Sequence, residues 1–437
     1  VIAYGVRKKG TVAGSVSTVK SEQLESTPTA AFDQALQGQV AGLTVLSNTG
    51  EPSASASMTI RGTNSINSGT APLYILDGVE ISASDFNTIN PADIESMSVL
   101  KDASSTSIYG ARAANGVIVI TTKKGSSDGS VKVNFSSKYT YSVANSVPEI
   151  QSTFGRGSYD MNGDLQTDLV TSSWGAVNNG PVYDNIKDFF QASNVFDNSF
   201  SVAGGHKNGN FYLSASRFDQ QGTIQGTGYD KTTFRFNGEQ KVGNWLTVGA
   251  NVSYSVANTQ KTLTSSGLYS GGGNGTMTAL YGWSRSENMS HWINEDGTKY
   301  RMFPNHVLED EVENPYWIIN RNEMTDKNER ITGAVNAGIK FTDWLDLNYR
   351  MGVDSYTNDS YTYIAPGGNV SEKYQGGRLS TSKVSYNYFN TNLMLNFHKT
   401  WGDFDVAALV GTATESTDRF SNTMWGWNFQ TPGTISF

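Results

Sequence analysis

The 437-residue chain contains no cysteine, which excludes disulfides, thiolate metal sites and cysteine nucleophiles. Charge is scarce: 16% of residues are Asp, Glu, Lys or Arg, against roughly 25% in an average domain. The 32 Lys and Arg are outnumbered by 40 Asp and Glu, for a net charge of -8, and they are not clustered. Nucleic acid is therefore not an expected partner, because a polyanion needs a basic face to hold its phosphates. Long hydrophobic runs are missing too. No stretch approaches the roughly 18 apolar residues of a membrane helix, and no charged-apolar-small leader opens the chain. A helical membrane protein is excluded. What is plentiful is glycine, with 45 residues, together with Ser, Thr and Asn and 11% aromatic residues. That much ring surface argues against disorder, and the balance points to a β-rich fold.

The pattern changes near residue 125. From Val1 to Gly125 short helical and strand signals alternate, as in one α/β domain. Phe32, Ala35 and Leu36 share a helical face that Gly38 can end, and Leu43 to Leu46, Met58 to Arg61 and Leu73 to Asp77 read as strands. Asn90-Pro91 starts another helical turn. Ser98 to Leu100 is a short strand, Asp102 is placed to cap a helix through Ile108, and Gly116 to Thr122, GVIVITT, reads as a buried strand. Beyond Gly125, long segments alternate apolar with polar side chains at a period of two. Leu246, Val248, Ala250, Val252, Tyr254 and Val256 fall on one face; Leu345, Leu347, Tyr349, Met351 and Val353 repeat the pattern. About nine such strands are predicted, near 131–142, 197–204, 210–219, 231–242, 245–257, 329–341, 344–356, 385–397 and 404–415.

The connections alternate between very short turns and long excursions, at about 143–196, 220–230, 258–328 and 357–384. One trimmed end and one elaborated end is the plan of a transmembrane β-barrel. Three short turns carry Trp245, Trp344 and Trp401, the residue an interfacial aromatic girdle requires, since indole is apolar in body and polar at its nitrogen. Nine strands cannot close such a barrel. A lumen wide enough to hold a folded domain takes roughly 22 strands, so 126–437 is expected to supply the N-terminal part of a transmembrane antiparallel β-barrel, and the resemblance described next makes the α/β domain, 1–125, its plug. A second chain or a missing segment would complete the barrel.

The first 125 residues resemble the plug of a TonB-dependent outer-membrane transporter of the SusC-like, nutrient-importing branch. The segments that carry the resemblance are VIAYGVRKKG, LQGQVAGLTVLSNTGEP, MTIRGTNSIN, PLYILDGVEI and the long INPADIESMSVLKDASSTSIYGARAANGVIVITTKKG. It implies active import of an oligomeric nutrient, glycan or peptide, across the outer membrane of a Gram-negative bacterium. TonB would supply the energy, a SusD-like surface lipoprotein would act as lid, and the lipid bilayer would surround the wall. Val1, Ile2, Ala3 and Tyr4 would be the tail of a TonB-contacting strand, and Arg61, Lys101, Asp102 and Arg112 charges that a plug in a polar lumen can pair.

No enzyme is expected. His206, His291, His306 and His398 lie far apart and no HExxH, GxSxG or Walker pattern accompanies them. Asp160, Asn162 and Asp164 open like a calcium loop, but Leu165 replaces the turn Gly and Thr171 the closing Glu, so no metal or other cofactor is expected. For substrate, the candidates are Asn64, Ser65 and Asn67 in a polar plug loop, and loop aromatics, above all Trp283 and Trp292 among Trp174, Tyr281, Tyr316, Trp317, Trp425 and Trp427. The rival reading is a soluble extracellular β-sandwich, a carbohydrate-binding or adhesion protein, which would need short strands and loops of similar length at both ends. A passive porin is disfavoured by the plug, and a receptor that also signals would need an upstream signalling domain.

Overall fold

The computed structural model describes residues 16–20, 32–47, 50–62, 69–82, 86–102, 109–110, 113–126, 128–168, 170–263, 275–307, 311–368 and 375–431. The N-terminal part is built from β1 (Val16–Lys20), β2 (Leu43–Leu46), β3 (Ser57–Ile60), β4 (Leu73–Leu76), β5 (Val79–Ile81), β6 (Ile94–Leu100) and β7 (Val117–Thr122). Five of these form a sheet in the order β1-β6-β7-β4-β5, with β2 and β3 paired as a separate hairpin. Strand β7 lies centrally, antiparallel to β6 and parallel to β4, which explains its unbroken β-branched run: both of its faces are covered. Leu36, Phe86, Ile94, Met97, Ile118 and Ile120 fill the core.

Two glycines sit where the backbone demands them. Asp77 and Gly78 both take positive φ, 46° and 83°, the combination that turns β4 tightly into β5. Gly116, at φ 92°, precedes β7 where a Cβ would stand 2.7 Å from Ile60 Cδ1 and 3.1 Å from the Leu100 carbonyl oxygen. Gly116→Ala is expected to cost at least about 1–2 kcal/mol, because both the backbone and the neighbours oppose it. Hydrogen exchange in the full-length protein should speed up in β3 and β7; unchanged protection there would contradict this account. The helical turns at 32–36 and 91–93 are present as single 3-10 turns, with the Asn90 side chain accepting from the Ala92 amide. The helix expected to run through Ile108 lies outside the described residues.

The second part is one nine-stranded antiparallel sheet, ordered as a meander. Its strands are β8 (Lys132–Ser142), β11 (Ser193–His206), β12 (Gly209–Gln221), β13 (Gly228–Val242), β14 (Leu246–Lys261), β15 (Glu323–Thr342), β16 (Leu345–Ile364), β17 (Arg378–Trp401) and β18 (Phe404–Trp427). A small hairpin, β9 (Ser158–Tyr159) with β10 (Leu165–Gln166), decorates the first long loop. Among the described residues, β8 and β18 are the two open edges, so this sheet is an arc of a barrel.

All nine expected strands occur, and their short-turn ends agree with the sequence to within a few residues. At the long-loop ends β8, β12 and β13 also agree to within a few residues, while the other strands run further than expected. Strand β16 runs on to Ile364 and β18 to Trp427, well past the expected 356 and 415. Trp425 and Trp427 therefore belong to a strand and not to a loop, and their rings stack 4.6 Å apart. The cause is that the apolar-polar alternation fades there. A strand rising past an apolar band keeps its ladder hydrogen bonds but has no reason to alternate.

The burial pattern is inside-out. On β13, Lys231, Thr233, Arg235 and Asn237 are each about 5% exposed or less, while their neighbours Phe234 and Phe236 are 53% and 39% exposed. Val248, Val252 and Tyr254 on β14 and Ile331 and Val335 on β15 continue the outward apolar face. The polar face turns inward onto the plug.

Candidate functional site: the plug-wall seam and the outer loops

Several wall side chains grip the plug, Thr259 among them, its hydroxyl 3.1 Å from that of Ser53. Lys231 Nζ donates to the carbonyl oxygens of Asn87 at 2.9 Å and Ile89 at 3.3 Å. Tyr212 donates its hydroxyl to Asp93 at 2.9 Å. Arg235 pairs with Asp77 and also donates to the Thr122 hydroxyl at 2.7 Å; Asn237 donates to that same hydroxyl at 2.8 Å and to the Lys123 carbonyl at 2.6 Å. From the other side of the arc, Arg350 donates to the Asp77 carbonyl oxygen, its guanidinium lying where a Cβ on Gly78 would have to be. The β4–β5 turn is thus clasped between β13 and β16. A buried guanidinium needs such partners, because its desolvation is otherwise uncompensated.

Of the plug charges expected to form a network, Arg61 and Asp102 pair at 2.6 Å, with the arginine half exposed. Lys101 donates to Ser17 Oγ at 2.7 Å and to the Ala41 carbonyl oxygen. Arg112 lies outside the described residues, as do Val1, Ile2, Ala3, Tyr4, Asn64, Ser65 and Asn67. The residues that do bridge plug and wall, Asp77, Asp93, Lys231 and Arg235, were missed by the sequence reading. Their signal was available: Lys231 and Arg235 stand on the inward face of a strand whose outward face holds Phe234 and Phe236.

Toward the long-loop end, a cavity of about 330 Å³ opens between plug and wall, lined by Ser55, Asn87, Tyr229, Asn328, Tyr356 and Arg419 among others. Hydroxyl, amide and phenol groups dominate, a lining suited to hydrogen-bonding ligands. Its floor is tied into the plug: Asn87 Nδ2 donates to Asp33 at 2.9 Å and to Ser55 at 3.0 Å, and its Oδ1 accepts from the Asp33 amide.

The long loops pack into a cap. Val170, Ile186, Phe189, Leu280, Trp283 and Met289 form its core, drawn from the loops after β8 and β14. Short helices Asn185–Phe189, Thr276–Gly282 and Pro315–Arg321 shape it. Trp283, expected to meet substrate, is instead 4% exposed inside this core. Trp292 stands edge-on to Trp317 at 6.2 Å, and Arg321 sits within 5.9 Å of both rings, so a cation of the chain already occupies that aromatic pair. Trp174 remains 67% exposed. Burial, and then the Asp188 carboxylate, push the Tyr316 phenol up, while the hydroxyl and amide of Thr298 hold the Asp296 carboxyl below its usual range. Among the described residues there is no cluster of three metal-ligating side chains.

At the short-turn end, Trp245, Trp344 and Trp401 are all substantially exposed. Trp344 and Trp401 flank Phe397 at 5.4 Å and 5.9 Å, with Lys399 5.2 Å from both indoles.

The family model for the TonB-dependent Receptor Plug Domain matches residues 8–117. In both its plug and its barrel wall, this chain is similar to SusC-like TonB-dependent receptors. Over 94% of its length it is 31% identical to TonB-dependent receptor P3 of Formosa agariphila and 28% identical to TonB-dependent receptor SusC of Bacteroides thetaiotaomicron, covering 39% and 42% of those chains. The structure of the RagAB peptide importer in its 'open-open' state superposes on 100% of the chain and 52% of the importer chain, with TM-score 0.76 and 27% identity. The chain therefore spans less than half the length of these curated relatives.

Proposed function

We propose that the chain is the plug (1–125) and leading barrel wall (126–437) of an outer-membrane importer for an oligomeric nutrient, glycan or peptide. The observation that carries this reading is the inside-out wall: exposed Phe, Val and Leu on one face, and on the other Lys231, Arg235 and Arg350 bonded to a folded plug. An apolar exterior needs lipid, and a plugged lumen needs energy to open. TonB acting on the segment before β1 is the proposed source. A SusD-like lipoprotein over the loop cap is the proposed lid, and Trp245, Trp344 and Trp401 mark the periplasmic interface. Ligand in the seam cavity would contact Asn87, whose amide is already bonded to Asp33, and can shift the plug only by binding one of its states more tightly. Asn64, Ser65 and Asn67 are proposed to add contacts from the plug loop. The β-sandwich rival does not fit a single arc whose apolar face is uncovered.

The test is made on the full-length receptor. It should leave membranes only with detergent, and lipid-borne quenchers should reach Trp245, Trp344 and Trp401 from one bilayer side. Cells lacking it should lose uptake of one class of oligomer. A monodisperse protein obtained without detergent would overturn the reading.

A further inference from the structure

From the clasped β4–β5 turn toward the short turns, two cavities follow one another along the inward face of the wall. The upper one, of about 120 Å³, lies between the plug at Asp77, Gly78 and Thr121 and the wall at Asn210, Asn237 and Asn251. The lower one, of about 650 Å³, continues to the short-turn end at Asn244 and Asp343. Glu239, Gly249 and Asn336 line both, so the two are contiguous.

The wall along this path runs against strand propensity. Asparagine and glycine are both disfavoured within strands, yet Asn237, Asn251, Asn336, Asn348, Gly249 and Gly338 stand on the inward face in neighbouring register rows of β13 to β16. The backbone needs neither glycine: neither takes a positive φ, and the ladder has no bulge at either. What they leave is room. A Cβ on Gly249 would meet Asn336 Nδ2 at 3.7 Å and Glu239 Cγ at 4.0 Å, and one on Gly338 would meet Asn348 Oδ1 at 3.2 Å, so the glycines floor a trough between polar side chains. A strand glycine with no bend to make marks a place where another molecule comes close.

Charge on this lining is largely spent within the chain. Asp77 pairs with Arg235, Lys340 pairs with Asp343 at 2.6 Å, and Asp346 accepts from the Asn348 and Asn396 amides at 2.7 Å and 2.8 Å. Lys124 and Glu239, of opposite sign, line the same upper cavity. Such a surface has little to hold a charged cargo. The buried Asn237 Oδ1, by contrast, has no hydrogen-bond partner among the described residues and is an acceptor left for a passing donor. A side-chain amide both donates and accepts, as a hydroxyl does, so the trough matches a neutral chain of hydroxyl groups. A peptide brings ionised ends and apolar side chains that a row of amides does not meet.

We propose that this trough is the exit half of the import path, a subsite along which a neutral, hydroxyl-rich oligomer, a glycan, slides from the plug to the short-turn mouth once the β4–β5 turn withdraws. This rests on the importer reading and narrows its cargo to one class.

Cells carrying the full-length receptor are offered two pools together, neutral oligosaccharides from hydrolysed starch, xylan and laminarin and tryptic peptides of casein, and depletion of the medium is read by mass spectrometry. Parent cells should deplete a neutral oligosaccharide and spare the peptides. Gly249→Val fills the trough with a better strand former, so the urea midpoint of the receptor should hold or rise while import is lost. Asn336→Leu keeps the volume but removes the amide, and should slow import roughly three- to tenfold. Capture by de-energised cells should match the parent in both variants, because the outer cavity is untouched. Parental import in either variant, or depletion of peptides alone, would overturn the proposal while leaving an importer in place. Failure of the importer reading looks different, since parent cells would then deplete neither pool and match cells without the receptor.

Discussion

Arg235→Ala is expected to loosen the plug more than any other single truncation in the wall. The guanidinium is 3% exposed and its partner Asp77 12%, so removing the arginine leaves a carboxylate in the lumen with its charge uncompensated. Breaking a buried pair by deleting one partner costs about 3–5 kcal/mol, much of it the penalty on the group left behind. One further contact fails with it, the bond to the Thr122 hydroxyl, and the turn is then held by Arg350 without its counterpart on β13. The absence of native cysteine gives a clean assay. A single reporter, Thr121→Cys on β7, lies on the plug next to the seam, and its maleimide labelling in the full-length receptor reads the open fraction. Labelling should accelerate by about two to three and a half orders of magnitude in Arg235→Ala, at 1.4 kcal/mol per decade. Adding Asp77→Asn should recover part of the loss, because the orphaned charge is then gone. Identical labelling in parent and Arg235→Ala would show that the clasp does not hold the plug.

How much of this was legible beforehand follows from which physical constraint wrote each feature. A strand with lipid on one side and a polar lumen on the other must alternate, so β14 and β16 could be read residue by residue. The turn at Asp77-Gly78 was equally plain, because two consecutive positive φ values need those residue types. The plug-wall network was harder. Its members come from positions as far apart as Asp77 and Arg350, and nothing in a single sequence pairs them; only their odd placement, charges on the inward face of amphipathic strands, hints that Lys231 and Arg235 have partners across the lumen. The loop aromatics misled for a related reason. Trp283 has the composition of a ligand-stacking residue, but the loops after β8 and β14 are long enough to need a core of their own, and it is spent there. Likewise the Trp292–Trp317 pair is filled by Arg321, a contact that spacing alone cannot reveal.

Strand β14 provides the most direct test of which side of the wall is oily. Its Val252 is 40% exposed and faces away from the plug. It lies seven residues beyond Trp245, and a tilted strand needs roughly 9–11 residues to cross the hydrocarbon, so Val252 sits within the hydrocarbon, a little past its middle. Val252→Arg is therefore expected to destabilise the barrel by about 2–4 kcal/mol, the cost of a guanidinium facing acyl chains near the midplane. Thr247→Arg, on the opposite face of β14, enters a cavity of about 650 Å³ that it shares with Glu239 and Asp346. There water and two carboxylates can receive the charge, and the cost should stay under about 1 kcal/mol. Urea titration of the full-length receptor folded into vesicles separates the two, the outward variant shifting its midpoint strongly and the inward one hardly. If Thr247→Arg proved the more damaging, the apolar side chains of β14 would have to meet protein and not lipid. The outer-membrane reading would fall with them, whatever the plug resembles.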